Sequence, residues 1–158
     1  MPRSSRGSAF IITLQDNLTK FIQLYPTKEN NGEAVKSALL QFIGTFGIPK
    51  EILTDNGPEF IASGVAELNE FLKVYHIKTT PYHPHANGAL ERAHAPIKDY
   101  FKIYIERKQE TWEEFVPTAI HSYNTAVHTT IGYTPYELAL GKKPIYPTYA
   151  ILTMKITT

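Results

Sequence analysis

Glu51-Ile52-Leu53-Thr54-Asp55-Asn56-Gly57-Pro58-Glu59-Phe60 is the stretch whose reading decides the fold. Residues 51–54 read as a short strand, and Asn56-Gly57-Pro58 stops it at once. Asp55 therefore stands at a strand end. Farther on, with 35 residues between, Glu91 follows Asn87-Gly88-Ala89-Leu90 just inside the start of a helix. A strand end and a helix start can bring two carboxylates together over a metal ion. Mg²⁺ takes oxygen ligands and keeps sites open for phosphate and water, so such a pair suits phosphoryl transfer. No convincing third acid stands upstream.

Working outward, Asn30 to Phe46 reads as a helix whose inner face is Val35, Ala38, Leu39, Phe42, Ile43 and Phe46. Gly47 and Pro49 close it. Before it, Phe10–Leu14 and Phe21–Tyr25 read as a hairpin, with Asp16-Asn17 as turn chemistry. After the Asp55 turn, Val65 to Tyr75 reads as a second helix with Val65, Leu68, Phe71, Leu72 and Tyr75 inward, and Ile77 to Thr80 as a strand. Pro81 to Gly88 reads as a loop and Ala89 to Ile105 as mostly helix. Pro96 either kinks that helix or starts it anew. Trp112 to Ala126 and Pro135 to Leu140 read as further helices. Strands alternating with helices argue for an α/β domain.

The 158 residues suit one domain, and 42% hydrophobic content is enough for a packed core. The absence of cysteine excludes disulfides and thiolate metal sites. Ala9-Phe10-Ile11-Ile12 is too short to cross a membrane, and no signal peptide is visible. A protein that is not secreted is expected. With a net charge of +1, any nucleic-acid contact must come from a local basic face.

Three segments carry a resemblance. They are Leu53 to Phe60; Thr80-Pro81-Tyr82-His83-Pro84-His85-Ala86-Asn87-Gly88-Ala89-Leu90-Glu91-Arg92; and Ser122-Tyr123-Asn124-Thr125-Ala126-Val127-His128 running to Gly132-Tyr133-Thr134-Pro135-Tyr136-Glu137-Leu138. Together they resemble the integrase catalytic core of long-terminal-repeat retrotransposons, gypsy type, and of retroviruses. The resemblance implies a ribonuclease-H-like mixed sheet flanked by helices, with metal-dependent 3′-end processing and DNA strand transfer. Residues 1–9 would be a loop remnant, 10–145 the core-like domain and 146–158 a C-terminal extension.

In that family three acids hold two Mg²⁺ (or Mn²⁺) ions. By resemblance, Asp55 and Glu91 would be catalytic metal ligands here. Asn56, Tyr82, His83, Asn87 and Lys98 would contact nucleic acid. The partners implied are element-end and target DNA and a homodimer or higher assembly, with no membrane; the place implied is the nucleus or an intracellular particle. The family's first acid lies on a first, central strand before a Gly-Pro-Leu-Pro-like turn. Phe10–Leu14 resembles the second strand, so the sheet is expected to lack its first one and two neighbours to lose their partner. The rival reading is a non-catalytic nucleic-acid-binding or dimerisation module derived from an integrase.

Blander readings stand beside these. Asp55 alone could cap a turn, and Glu91 could be a first-turn helix acid. Asp16 is the remaining candidate for the missing acid, though a hairpin-turn role suits it better. His83 and His85 suggest zinc at first sight, but without nearby cysteines they read as loop residues. Lys98 and Lys102 could be a solvated helix face. Trp112, Phe115 and Ile120 read as core or dimer interface.

Overall fold

The computed structural model describes residues 2–79, 97–102 and 109–145. Strand β1 (Phe10–Gln15) pairs antiparallel with β2 (Ile22–Thr27), Phe10 opposite Thr27 and Gln15 opposite Ile22. Asp16 makes the turn, its Oδ2 accepting from the N–H and the hydroxyl of Thr19. Helix α1 (Gly32–Phe46) starts at Asn31, whose side chain accepts from the Ala34 N–H at 3.0 Å. It ends at Gly47, where φ is +89° and the N–H reaches the Ile43 carbonyl. Strand β3 (Glu51–Thr54) runs parallel to β4 (Tyr75–Lys78), and α2 (Ser63–Phe71) connects them. Residues 97–102 are helical. A 3₁₀ segment (Gln109–Phe115) leads into α3 (Val116–Thr125), and α4 (Pro135–Leu140) follows.

Helices cover both faces of the hairpin. On one face Ile12 and Leu14 join Ile52 of β3 against Val35, Leu39 and Val65 of α1 and α2. On the other, Ile11, Ile22 and Leu24 meet Ile97, Phe101, Trp112, Val116 and Ala119. This is the strand period of two, with successive residues of β1 turned to opposite cores. Trp112 is fully buried, sits edge-on to Phe101 at 6.2 Å and donates its indole N–H to the Pro2 carbonyl at 2.8 Å. Trp112 is therefore core, and Phe115 and Ile120 pack partly buried around it.

The pairing is mixed, as expected, but it falls into two ladders, β1–β2 and β3–β4, with no bond between them among the described residues. Strand β2 is shifted from Phe21–Tyr25 to Ile22–Thr27 and β4 from Ile77–Thr80 to Tyr75–Lys78, and two helices depart further from the sequence reading. Helix α2 stops at Phe71, because Lys73 takes a left-handed φ of +56° and the Val74 N–H turns back to the Asn69 carbonyl. Tyr75 thus opens β4, and Phe71 and Tyr75, expected inward, are 83% and 75% exposed. The segment read as one helix from Trp112 to Ala126 is a 3₁₀ stretch, non-helical at Thr111, followed by α3 with Pro117 in its first turn. Among the described residues no helix is long and apolar enough to cross a membrane.

The outer edge of β2 is closed by a side chain. Asn124, on α3 and 2% exposed, accepts from the Ile22 N–H at 2.9 Å and donates to the Ile22 carbonyl at 3.0 Å. Pro26, also turned outward, has no N–H to offer. Asn124→Ala leaves both buried groups of Ile22 unpaired. It is expected to cost about 2–3 kcal/mol in chemical denaturation, against a near-neutral effect at an exposed α3 position such as Thr118.

The segment before β1 is tied to the 3₁₀ stretch. The Glu113 carboxylate accepts from the Ser4 hydroxyl and from the Ser8 N–H, and the Ser5 N–H reaches the Glu110 carbonyl at 2.7 Å. Burial pushes the Glu113 carboxyl up, but the hydrogen bonds from Ser4 and Ser8, with the nearby Arg6 charge, outweigh it and hold the group below its ordinary 4.5. A depressed carboxyl stabilises the fold above its unfolded pKa and loses that contribution as pH falls through the folded one. The stability difference between the natural chain and Glu113→Gln is therefore expected to shrink between about pH 5 and pH 3, read by urea unfolding at each pH.

Candidate active site

Asp55 directly follows β3 with its side chain in solvent. Its Oδ1 accepts from the Gly57 N–H at 3.0 Å, closing an Asx turn that fixes the carboxylate over the strand end. Among the described residues its Oδ2 has no partner. The adjoining turn is anchored on α1 and β4. Asn56 Nδ2 donates to the Thr79 carbonyl at 3.2 Å, and Thr79 returns its N–H and hydroxyl to the Thr54 carbonyl at 2.9 and 3.2 Å. Glu59 accepts from Asn30 beside α1 at 3.3 Å. A Cβ on Gly32 would come within 2.3 Å of the Ala62 Cβ, so the start of α2 lies hard against the first residue of α1.

Beneath Asp55, His76 Nε2 and Thr54 Oγ1 are 2.8 Å apart, and the same hydroxyl lies 2.8 Å from the Asp55 carbonyl. Burial, with the Lys78 charge beside it, pushes the His76 imidazole below its ordinary 6.5, so the ring is neutral at pH 7. Sequence reading singled out neither Thr54 nor His76. A histidine one residue into a short strand carries no signal of its own.

Lys98 is exposed on the helical segment 97–102. Lys102, one turn on, pairs with Asp99 at 3.3 Å, whereas Lys98 has no partner among the described residues. Lys98 is thus the uncompensated cation of that pair. Glu91, Tyr82, His83, His85 and Asn87 lie outside the described residues. Asp16 sits at the hairpin turn. Burial raises its carboxyl, but the hydroxyl and backbone of Thr19, the Leu18 backbone and the Lys20 charge together hold it low. Among the described residues no three of His, Cys, Asp and Glu cluster as a metal site.

The donor chemistry nonetheless suits a hard divalent cation at Asp55. The carboxylate is exposed, is held by one oxygen and presents the other.

A strand hairpin and a parallel strand pair packed between helices, with a carboxylate at the end of the parallel pair, define the ribonuclease-H-like class. The integrase core domain family model matches residues 2–84. The chain belongs to the integrase core domain family. It is 29% identical over 148 residues to the retrovirus-related Pol polyprotein from transposon 412 of Drosophila melanogaster, which covers 93% of this chain and 12% of that protein. It is 30% identical over 128 residues to the Pol polyprotein of equine infectious anemia virus, covering 81% of this chain and 11% of that one. The chain thus spans about an eighth of the length of these relatives. The catalytic core domain of BIV integrase superposes with a TM-score of 0.67 at 26% identity, over 83% of this chain and 91% of that one. The HTLV-2 integrase catalytic core domain, solved in complex with magnesium in a dimeric form, shares the fold, with a TM-score of 0.67 at 22% identity over 82% and 83% of the two chains.

If Asp16 is a turn residue, Asp16→Ala is expected to lower stability by about 1 kcal/mol through its lost bonds to Thr19. Asp16→Asn, which keeps an acceptor oxygen, is expected to leave Mn²⁺ affinity unchanged in isothermal titration. A drop comparable with that of Asp55→Asn would make Asp16 a ligand instead.

Proposed function

We propose that this chain supplies the catalytic core for DNA integration, through metal-dependent 3′-end processing and strand transfer. The observation that carries the reading is the Asp55 carboxylate, held at the end of β3 by Gly57 in a chain whose family is that of integrase cores. Asp55 and Glu91 would hold Mg²⁺ or Mn²⁺. When bound, the metal supplies charge stabilisation at a reacting phosphate and a lowered pKa for bound water. Asp55 presents its free oxygen without reorganising, because the turn is already bonded. Asn56, Tyr82, His83 and Asn87 would line the path of the DNA. Lys98 would meet a phosphate as a point charge, which its lack of a carboxylate partner among the described residues supports. Pairing of two cores, the HTLV-2 core having been solved in a dimeric form, would place two sites on one assembly. The substrate would put its work in the nucleus or in an intracellular particle.

The test is a nicking and strand-transfer assay with Mn²⁺ and element-end DNA. It would use the chain as it stands and the chain fused to an upstream strand bearing an aspartate. Activity is expected in the fused form and should fall at least about 100-fold on Asp55→Asn or Glu91→Gln, the scale of losing a metal's charge stabilisation. Activity indifferent to both substitutions, or none in either form, would sink the reading.

A further inference from the structure

We propose that Thr54 and His76 are positioning residues for the Asp55 carboxylate, acting through a relay of two hydrogen bonds that ends on the Asp55 carbonyl. The inference rests on the metal-ligand reading of Asp55 given above.

The ladder shows why a relay is needed. The Tyr75 N–H bonds the Lys50 carbonyl and the Thr79 N–H bonds the Thr54 carbonyl, so even-numbered residues of β3 turn their carbonyls toward β4. In a parallel strand the alternate residues turn the other way. Asp55 lies one residue past the end of β3, and no ladder bond reaches its carbonyl among the described residues. The Thr54 hydroxyl is the group that reaches it, at 2.8 Å.

That hydroxyl has one proton. Given to Asp55, it leaves the Thr54 oxygen as acceptor, so His76 Nε2 carries the hydrogen of the bond at 2.8 Å. The chain of donation runs from His76 on β4, through Thr54 on β3, to the Asp55 peptide. Asn56 is meanwhile bonded to the Thr79 carbonyl, and the Gly57 N–H to Asp55 Oδ1. Residues 54–57 are thus pinned at successive positions, and the relay adds the bond to the Asp55 carbonyl. Outer bonds of this type set the direction of a metal-binding oxygen without touching the ion.

Thr54→Val keeps the shape and removes the hydroxyl, whereas Thr54→Ser keeps it. His76→Phe removes the donor, whereas His76→Gln keeps an N–H at similar reach. Two readouts are made on the full chain. One is hydrogen exchange of the Gly57 amide by NMR, which reports the pose of Asp55 without metal. The other is affinity for Mn²⁺ alone by titration, with Asp55→Asn as reference. Thr54→Val and His76→Phe are expected to quicken Gly57 exchange and weaken Mn²⁺ binding about tenfold, and Thr54→Ser and His76→Gln to restore both. A lowered Tm with both readouts unchanged would show a structural pair only and overturn the inference. Mn²⁺ affinity indifferent to Asp55→Asn would instead overturn the metal reading, and the positioning role toward it as well.

Discussion

Burial of one hairpin on both faces is the constraint on which the rest depends. Two strands alone are marginal in water. Here Ile12 and Leu14 close one core with α1 and α2, while Ile11, Ile22 and Leu24 close the other with Trp112 and α3. Ile52 joins the first core, so β3 lies on the same helical layer as the hairpin although no hydrogen bond links the two ladders. The position of Asp55 follows from that packing, since the strand it terminates is held by apolar contact with α1 and α2 and by bonds to β4.

The segments that mark the family have separate physical duties. Asn124 acts as a piece of strand, giving the edge of β2 the donor and acceptor it would otherwise find in water. Thr134 and Glu137 cap α4 reciprocally, each side chain bonded to the other's backbone N–H, and Gly141 ends that helix in a left-handed turn. Asp55, Asn56 and Gly57 form the Asx turn and its tether to β4. In this last group the Asp55 carboxylate is exposed and its Oδ2 has no partner among the described residues, which suits a site rather than a scaffold.

Much of this was legible in the chain. The α1 face from Val35 to Ile43, the β3 span, the α4 span and the Asp55 turn follow from side-chain period, Gly and Pro punctuation and cap chemistry, all of which act over a few residues, whereas Phe46, read as inward at the end of α1, is 39% exposed. The end of α2 was not legible. Phe71 and Tyr75 continue the helical spacing of Val65 and Leu68, and only the left-handed Lys73 breaks it. Lysine carries no signal for that conformation, which the closing bond from Val74 to Asn69 imposes. The 3₁₀ stretch around Trp112 escaped for a related reason, its apolar spacing being read as one turn of a longer α-helix.

By itself the sequence determined the class of fold, the family and the carboxylate at a strand end, because these rest on local periodicity and on short motifs at fixed spacing. Tertiary structure decided what holds the strand end beneath that carboxylate and what closes the edge of the hairpin. Thr54 meets His76 across 22 residues, Asn56 meets Thr79 across 23, and Ile22 meets Asn124 across 102. Bonds at such separations exist only once the strands and helices have packed, because a polar side chain commits to a partner when burial removes the competing water.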